Sequence, residues 1–309
     1  MTSLSLPPTV TIVEVGPRDG FQMEAVFIPT DVKIATINAI AAAGVRKTEA
    51  TSFVNPKVIP QMRDASDVMR GIARRAGATF TALVPNVRGA EQAVAAGVDA
   101  VRQVICVTET YNRRNVGMSV DQSVANLAAI RAAAGSTPVE LVIALAFGCP
   151  LEGPVEPDAV VRLAGRAIEM GIREISIADS IGLAGPEQVG AMMRLLQHTF
   201  GGIAWSLHLH DTRGLGLANV LAGLDQGVTT FDASIGGLGG CPVVPGATGN
   251  IATEDLVHML DGMGIATGID IEALMHATRL AQAELGRAFP AKVLSAGTTS
   301  SVFARAATH

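Results

Sequence analysis

Two histidines one residue apart are the strongest indication of chemistry in the sequence. His208 and His210 lie in an apolar segment, residues 205–211, that is typical of a buried strand. Because strand side chains alternate between two faces, both imidazoles point the same way, as does Ser206. With an acidic oxygen nearby they would bind a divalent cation. Oxygen-rich surroundings would favour Mg²⁺ or Mn²⁺, although histidine also suits zinc or cobalt. The alternative is a polar layer satisfied by hydrogen bonds, and the pattern alone favours neither.

A glycine-rich turn near the amino terminus supplies the acidic oxygen. Residues 16–20 have the sequence Gly-Pro-Arg-Asp-Gly and follow the first predicted strand. In a closed barrel the first strand lies beside the eighth, so Asp19 would reach the two histidines. This favours the cation site over the polar layer.

Arg18 and Glu49 are charged residues in unusual positions. An arginine beside an aspartate in a turn often only fixes the loop, but adjacent turn residues can diverge. Asp19 would then hold a cation while Arg18 stabilises an oxyanion on the substrate, which is the interpretation we favour. Glu49 lies in an otherwise apolar strand, where an unpaired buried carboxylate would cost several kcal/mol. We therefore expect Glu49 to pair with Arg18 or with a bound group.

The three cysteines, Cys106, Cys149 and Cys241, are an odd number without the spacing of a disulfide framework or a structural zinc site. Cys241 lies in a loop, residues 236–250, that contains six glycines. A free cysteine is usually a core residue. A thiol in a mobile loop over the active face is instead expected to act as a proton donor or nucleophile, and the glycines would let the loop close over the substrate as a lid. Cys106 is expected in the core, and the pattern does not place Cys149.

Short apolar runs alternate along the chain with alanine-rich, amphipathic segments. Eight runs are predicted as strands: residues 9–16, 47–51, 80–84, 100–107, 139–147, 174–179, 204–211 and 229–236. The segments between them are predicted as helices: residues 31–43, 89–96, 121–134, 158–170, 186–199 and 217–226. Helices are expected to end at glycines 44, 97, 171 and 227. This order is typical of parallel β–α units.

We predict an α/β fold in a single domain, residues 1–309. It consists of a (β/α)₈ TIM barrel over about residues 8–265 and a short helical C-terminal extension over about residues 266–309. An open doubly wound sheet is the alternative, because periodicity does not establish closure. In a barrel, functional residues lie where strands end. That position is shared by the Asp19 turn, the histidine pair, the Cys241 loop and residues 51–53, 111–115 and 179–180.

The composition disfavours several classes of protein. The 309 residues carry 28 acidic and 23 basic side chains and only 4% aromatic residues, which disfavours nucleic-acid binding. The longest apolar run, around residues 141–151, is too short to span a membrane. The first twenty residues show no secretory or transit signal, so a cytoplasmic location is expected. The partner is expected to be a small molecule.

Several long motifs, in order, resemble the hydroxymethylglutaryl-CoA lyase family of metal-dependent TIM-barrel enzymes. They are residues 13–22 (Val-Glu-Val-Gly-Pro-Arg-Asp-Gly-Phe-Gln), 49–57 (Glu-Ala-Thr-Ser-Phe-Val-Asn-Pro-Lys), 60–62 (Pro-Gln-Met), 208–212 (His-Leu-His-Asp-Thr) and 239–250 (Gly-Gly-Cys-Pro through Gly-Asn). The match extends from about Ile12 to Gly268. The resemblance implies cleavage of 3-hydroxy-3-methylglutaryl-CoA, or a related 3-hydroxyacyl-CoA, to acetyl-CoA and a keto acid by retro-Claisen chemistry.

The resemblance also implies roles for individual residues. Asp19, His208, His210 and Asn250 would hold the divalent cation, Mg²⁺ or Mn²⁺. Arg18 would stabilise the enolate of acetyl-CoA, Cys241 would relay its proton, and Glu49 would support Arg18 and the metal environment. Asp19, His208 or a metal-bound water would take the hydroxyl proton. The matching loops add candidate substrate-binding residues: Arg18, Gln22, Ser52, Asp179, Ser180 and Arg213. Homodimerisation is also implied.

The sequence departs from the family pattern near the expected mouth of the site. Residues 23–25 are Met-Glu-Ala where the family commonly has Asn-Glu-Lys, and Arg213 replaces a tyrosine. Residues 178–180 are Ala-Asp-Ser instead of Gly-Asp-Thr. Arg113 and Arg114 could supply the charge for CoA phosphates, although a solvated basic pair is more ordinary. Arg213 could bind an additional carboxylate or pair with Asp211 or Glu254.

Two other functions remain open beside the lyase. One is a CoA-independent hydroxy-keto-acid aldolase on the same metal site; a condensing synthase is disfavoured, because synthases usually add long regulatory regions. The other is a catalytically silent metal- or ligand-binding protein. Cys241 disfavours the silent protein, since a binding protein that has lost turnover would have little need for a thiol in a glycine-rich lid.

Overall fold

Eight parallel strands close into a barrel, as the alternation of apolar runs and helical segments predicts. The computed structural model describes residues 6–240 and 249–306 of the chain. The barrel strands are Thr11–Glu14, Lys47–Ser52, Thr79–Leu83, Ala100–Cys106, Val139–Ala144, Glu174–Asp179, Ala204–Leu209 and Thr230–Ala233. Each pairs with the next along the chain, and the first pairs with the eighth through Thr11–Thr230 and the following positions. The TIM-barrel prediction is therefore confirmed and the open sheet was wrong.

Helices follow every strand. They are α1 (Thr30–Ala42), α2 (Ala65–Gly71), α3 (Val87–Ala95), α4 (Glu109–Val116), α5 (Val120–Ala134), α6 (Pro157–Glu169), α7 (Pro186–Thr199), α8 (Gly216–Asp225) and α9 (Thr253–Gly262). Three more stand at the C-terminal end: α10 (Ile271–Leu285), α11 (Lys292–Ala296) and α12 (Thr299–Ala306). Local chemistry sets their ends: Ser119 and Gln122 form a capping box before α5, and a proline begins α6 and α7.

Helices α2, α4 and α9 do not appear among the predicted elements. The segment 111–115, expected as a loop, lies within α4, which is mostly polar and has Asn112 as its buried residue. Helix α4 therefore has no apolar stripe and gives no periodic pattern to detect. The glycines at 44, 97, 171 and 227 adopt positive φ after their helices, as predicted. The domain boundary near residue 265 stays a prediction.

Five strands are shorter than predicted. The fourth ends one residue early, at Cys106, and in the other four the chain leaves the ladder to build the loops at their ends. The first strand ends at Glu14 and is followed by a single π-helical turn, Gly16–Gly20. The fifth ends at Ala144, and Leu145 adopts a φ of +59°. The seventh ends at Leu209, so that His210 forms an isolated bridge with Asn250 instead. The eighth ends at Ala233, before the positive-φ pair Gly236 and Gly237.

The two faces of the barrel wall differ in chemistry. Trp205, Leu207 and Leu209 belong to the main hydrophobic core with side chains from the surrounding helices, as the alternation predicts. Charged side chains from several strands meet on the inner side and lie close to the C-terminal ends of the first and seventh strands. Among the described residues, no helix is long and apolar enough to cross a membrane.

Candidate active site

Asp19, His208 and His210 converge at the C-terminal end of the barrel. Each offers one ligand atom, and these atoms all lie within 4.8 Å of one another. The Nε2 atoms of the two histidines are 3.2 Å apart, and both rings are buried. The structure thus brings together the histidine pair and the turn carboxylate, as the sequence predicts.

Neighbouring donors hold both oxygens of Asp19. Oδ1 accepts from Arg18 Nη1 at 2.6 Å and from Gln22 Nε2 at 3.3 Å, and Oδ2 accepts from Asn250 Nδ2 at 2.7 Å. Burial opposes ionisation of this carboxyl, but the Arg18 charge, the two histidines and the hydrogen bond from Asn250 together outweigh it, so the pKa of Asp19 lies below its usual value. Asp19 is therefore an anion aimed at the histidine pair.

Asn250 lies beside Asp19 and has an amide oxygen that is unpaired within the described chain. Its Nδ2 donates to Asp19 and to the carbonyl of Leu238 at 2.9 Å. Its Oδ1 is buried and has no hydrogen-bond partner among the described residues. An acceptor left unpaired in this way costs free energy unless a ligand completes it.

These donors fit a divalent cation. Burial and the neighbouring His208 lower the pKa of His210 to about 3, so its ring is neutral with a lone pair available. Two imidazole nitrogens, a carboxylate oxygen and an amide oxygen form a mixed set that suits Mg²⁺, Mn²⁺ or Zn²⁺.

Asp232 is a site residue that the sequence analysis missed. It pairs in register with His208 on the adjacent strand, and its Oδ2 lies 3.1 Å from His208 Nδ1. Burial raises the pKa of Asp232, but the paired Arg102 holds it well below its usual range. Because a carboxylate only accepts hydrogen bonds, Nδ1 of His208 carries the proton and Nε2 keeps its lone pair for the cation site. A carboxylate in the apolar strand Thr230–Ala233 was the available signal, as it was for Glu49.

Arg18 and Glu49 form the predicted pair. Arg18 Nη2 donates to Glu49 Oε2 at 2.9 Å, and both side chains are buried. Arg18 Nε is also buried and has no hydrogen-bond partner within the described ranges. The guanidinium is thus held by two carboxylates while its Nε–H has no acceptor among the described residues.

Three candidate substrate-binding residues make bonds that hold the loops. Ser52 Oγ donates to the carbonyl of Leu83 at 3.3 Å. The oxygens of Asp179 accept from the backbone N–H of Leu183 at 2.9 Å and of Ala184 at 2.8 Å. Ser180 Oγ accepts from Leu145 N at 3.2 Å. Direct contact of these side chains with a substrate stays a prediction.

Arg213 does not make the ion pairs that were expected as alternatives. It is exposed, and its Nη1 donates to the carbonyls of Ile181 at 3.0 Å and Gly182 at 2.9 Å. Neither Asp211 nor Glu254 pairs with it in the part of the chain that the structure describes. Glu254 is fully buried and accepts from Thr278 and from the N–H of Gly236, so that pairing was wrong.

Arg113, a candidate for binding CoA phosphates, makes a surface ion pair. It contacts Glu109 one turn earlier on α4 at 2.6 Å, and both side chains are exposed. Its part in binding CoA stays a prediction.

The cysteines occupy different surroundings. Cys106 is buried, as predicted. Cys149 is buried too, and its Sγ accepts from Thr108 Oγ1 at 3.2 Å and from Leu151 N at 3.4 Å, which ties down the loop after the fifth strand. Cys241 lies outside the described residues, so its predicted role stays a prediction.

Comparisons with known proteins agree with the fold. Residues 9–281 match the model of the family described as HMGL-like. The chain is 43% identical over 290 residues to hydroxymethylglutaryl-CoA lyase YngG of Bacillus subtilis, covering 93% of this chain and 97% of the relative. It is also 43% identical over 294 residues to the mitochondrial hydroxymethylglutaryl-CoA lyase of Mus musculus, covering 94% and 90% of the two chains.

A solved structure gives the same result. An HMG-CoA lyase of Acinetobacter baumannii, in complex with coenzyme A and 3-methylmalate, superposes with a TM-score of 0.91 at 40% identity, covering 97% of this chain and 98% of that one. The resemblance inferred from the sequence motifs is thereby confirmed. This chain belongs to the HMGL-like family, together with the hydroxymethylglutaryl-CoA lyases.

Proposed function

We propose that this protein is a divalent-metal-dependent carbon–carbon lyase that cleaves 3-hydroxy-3-methylglutaryl-CoA to acetyl-CoA and acetoacetate. The observation that carries the proposal is the convergence of Asp19, His208 and His210 beside the buried guanidinium of Arg18. Membership of the family supports the reaction, and the structure of the related lyase with coenzyme A supports an acyl-CoA substrate.

Asp19, His208, His210 and Asn250 would hold the cation, Mg²⁺ or Mn²⁺. When bound, the cation supplies Lewis acidity to the hydroxyl group of the substrate, which makes its proton easier to remove. Asp232 keeps His208 in the tautomer that binds a cation, and Arg18 and Asn250 keep the Asp19 oxygens directed at the site.

Arg18 has the geometry to stabilise the leaving group. Carbon–carbon cleavage places negative charge on the enolate oxygen of the acetyl-CoA thioester. A fixed guanidinium in a site shielded from water lowers the energy of that charge. Asp19 and Glu49 hold two of the guanidinium nitrogens, so the guanidinium is fixed before the substrate arrives. The unpaired Nε–H and the second N–H of each terminal nitrogen are the donors that a substrate oxygen could use.

Proton transfer completes the reaction. The hydroxyl proton must leave and the enolate carbon must gain a proton, and Cys241 is our candidate for the second transfer. The loop that carries Cys241 joins the described chain at Gly239 and Gly240, and Gly239 lies against Asp19 and Asn250. Asp19 and His208 remain candidates for accepting the hydroxyl proton.

The identity of the acyl chain is the open part of the proposal. Ala25 and Arg213 differ from the family pattern and are both exposed near the loops that follow the first and seventh strands. A related 3-hydroxyacyl-CoA is therefore an alternative substrate. A cytoplasmic location and a homodimer also stay proposals; one relative, from Rattus norvegicus, is named as the cytoplasmic form of the lyase.

The test is to incubate the purified protein with 3-hydroxy-3-methylglutaryl-CoA and a panel of related 3-hydroxyacyl-CoAs. Each reaction is run with Mg²⁺, with Mn²⁺ and after EDTA, and acetyl-CoA release is followed by mass spectrometry. Cleavage that requires the cation would support the lyase, and the best substrate would identify the acyl chain. A protein that binds the cation but cleaves no thioester would instead be a CoA-independent aldolase or a silent binder.

A further inference from the structure

Arg102, the partner of Asp232, is a buried charge that does not itself contact the proposed cation ligands. It lies in the fourth strand, which stands opposite the eighth strand in the closed barrel, and is only 3% exposed. Its side chain crosses the barrel interior to Asp232 on that opposite strand. Because a guanidinium loses much solvation energy on burial, this position requires several well-placed acceptors.

The acceptors are three carboxylates. Nη1 lies 2.8 Å from Asp232 Oδ2 and Nη2 lies 3.2 Å from Asp232 Oδ1, a two-point contact that fixes the plane of the carboxylate. Nη1 is also 3.6 Å from Glu49 Oε2, and Nε donates to Glu140 Oε2 at 3.2 Å.

Two of these carboxylates also contact residues of the candidate active site. The Asp232 oxygen that pairs with Arg102 Nη1 also accepts from His208 Nδ1. The Glu49 oxygen near the same Nη1 also accepts from Arg18 Nη2. Nη1 of Arg102 therefore contacts the two carboxylates that bind His208, a candidate cation ligand, and Arg18, the group proposed to stabilise the enolate.

We propose that Arg102 is a positioning residue for the cation site and for Arg18. By fixing Asp232, it holds the His208 ring with its Nε2 lone pair toward Asp19 and His210. By contacting Glu49, it sets the carboxylate that anchors the Arg18 guanidinium. Its effect on catalysis rests on the proposed function, whereas its effect on cation binding holds for any reaction at this site.

The first test measures Mn²⁺ affinity of the full-length protein by calorimetry after EDTA treatment. Arg102→Met is expected to weaken binding about 10- to 100-fold, the usual cost of removing a group that orients a metal ligand. Arg102→Lys keeps the charge but not the two-point contact, so it should recover part of the affinity and should fold if the methionine variant does not.

Glu140→Gln is the matched control. It removes the charge that Glu140 presents to Nε of the same guanidinium and to Lys47 Nζ, and this carboxylate is not one of the two that contact the site. It should lower the melting temperature and leave Mn²⁺ affinity unchanged. A purely structural role for Arg102 would lower only the melting temperature in all three variants, and that result would overturn the proposal.

A double-mutant cycle tests the route through Asp232. If Arg102 acts on the cation site through this carboxylate, the double variant Arg102→Lys with Asp232→Asn should bind Mn²⁺ no more weakly than Asp232→Asn alone. Losses that multiply would show that Arg102 acts independently of Asp232 and would overturn this route.

A third measurement needs neither metal nor turnover. In cation-free protein labelled with ¹⁵N-histidine, the His208 ring should carry its proton on Nδ1, and the Arg102 variants should shift the population toward Nε2 protonation. An unchanged ring in the variants would contradict the proposal. Thioester cleavage by the wild type is assayed separately, so failure of the lyase function would leave these binding and tautomer results interpretable.

Discussion

The Nε2 atoms of His208 and His210 lie 3.2 Å apart, at the distance of a hydrogen bond. Two lone pairs at this distance repel each other unless a proton or a cation lies between them. Burial lowers the pKa of His210 to about 3, so its ring is neutral at pH 7 and has one N–H and one lone pair. Its Nε2 either donates that N–H to His208 or, in the other tautomer, presents its lone pair to a cation, with Asp19 and Asn250 as the proposed oxygen ligands.

Replacing His208 with alanine is expected to abolish cation binding. The change removes one of the two imidazoles and leaves the buried Asp232 without its histidine partner, so the three remaining donors should hold the cation too weakly for it to survive dialysis. Bound Mn²⁺ per chain after dialysis is the measurement, with His198→Ala on the exposed face of α7 as the control. Retention of one tightly bound Mn²⁺ per chain in the His208 variant would refute the ligand assignment.

Gly239→Ala is expected to weaken cation binding by separating two of the proposed ligands. A Cβ at this position would lie 2.6 Å from Asn250 Nδ2 and 3.0 Å from Asp19 Oδ2, and the backbone φ is +98°. The alanine must therefore push Asn250 away from Asp19, in addition to the strain of a positive φ. The measurement is Mn²⁺ affinity by calorimetry.

Gly264→Ala is the control, because it introduces the strain of a positive φ without a contact to the site. Gly264 has a φ of +74° and no atom within 4 Å of an added Cβ. It should lose stability without losing cation affinity. Equal affinities for the two glycine variants would count against the contact between Gly239 and the site.

Arg18→Lys is expected to lower kcat about 100- to 1000-fold, the usual cost of losing an oxyanion-stabilising donor. Lysine retains the positive charge, but its three N–H groups share one nitrogen, so it cannot reproduce the planar fork that spans Asp19 and Glu49 and also direct a donor at the substrate. Steady-state kinetics at saturating Mn²⁺ should show a loss in kcat that exceeds any change in Mn²⁺ affinity. A variant that turns over at the wild-type rate would remove Arg18 from the mechanism.

Cys241→Ser is expected to lose most of its turnover while binding Mn²⁺ normally. A hydroxyl is a much weaker acid than a thiol, so it delivers a proton to the enolate poorly. Cys106→Ala, a change in the core, is the control and should retain turnover. Equal rates for Cys241→Ser and wild type would mean that another group protonates the enolate.

Much of this arrangement follows from local sequence patterns. Strand alternation places His208 and His210 on one face, and the cost of burying Glu49 predicts its partner Arg18. The order of strands and helices predicts the barrel, which then brings Asp19 on the first strand's loop to the histidines.

The contacts of Arg102 with Asp232 and of Asn250 with Asp19 form only when the barrel closes. Arg102 and Asp232 are 130 residues apart on opposite strands, and only the closed barrel brings them to 2.8 Å. Asn250 reaches Asp19 because residues 249–252 return to the seventh and eighth strands through isolated bridges. Such contacts depend on tertiary distances, which periodicity along the chain does not encode.

The final prediction concerns the pH dependence of stability. Glu14 is fully buried, and burial raises its pKa from 4.5 to about 8, although hydrogen bonds from Thr253, Ile235 and Gly16 oppose the shift. A raised pKa means that the folded state holds this proton where the unfolded state has released it. The stabilisation is complete below pH 4.5 and is lost as the pH rises to about 8.

Glu14→Gln should flatten this dependence, because glutamine is neutral at every pH. The wild-type free energy of unfolding should fall between pH 5.5 and 8, with Glu14 contributing at most about 1.4 kcal/mol per pH unit. Glu254, whose pKa burial raises to about 7, adds a slope of the same sign that the variant keeps. Urea unfolding of the cation-free protein measures the slope, and Glu91→Gln on the exposed face of α3 is the control. If Glu14→Gln and wild type lose stability in parallel over this range, Glu14 is ionised in the folded protein and its burial is compensated by the three donors that contact it.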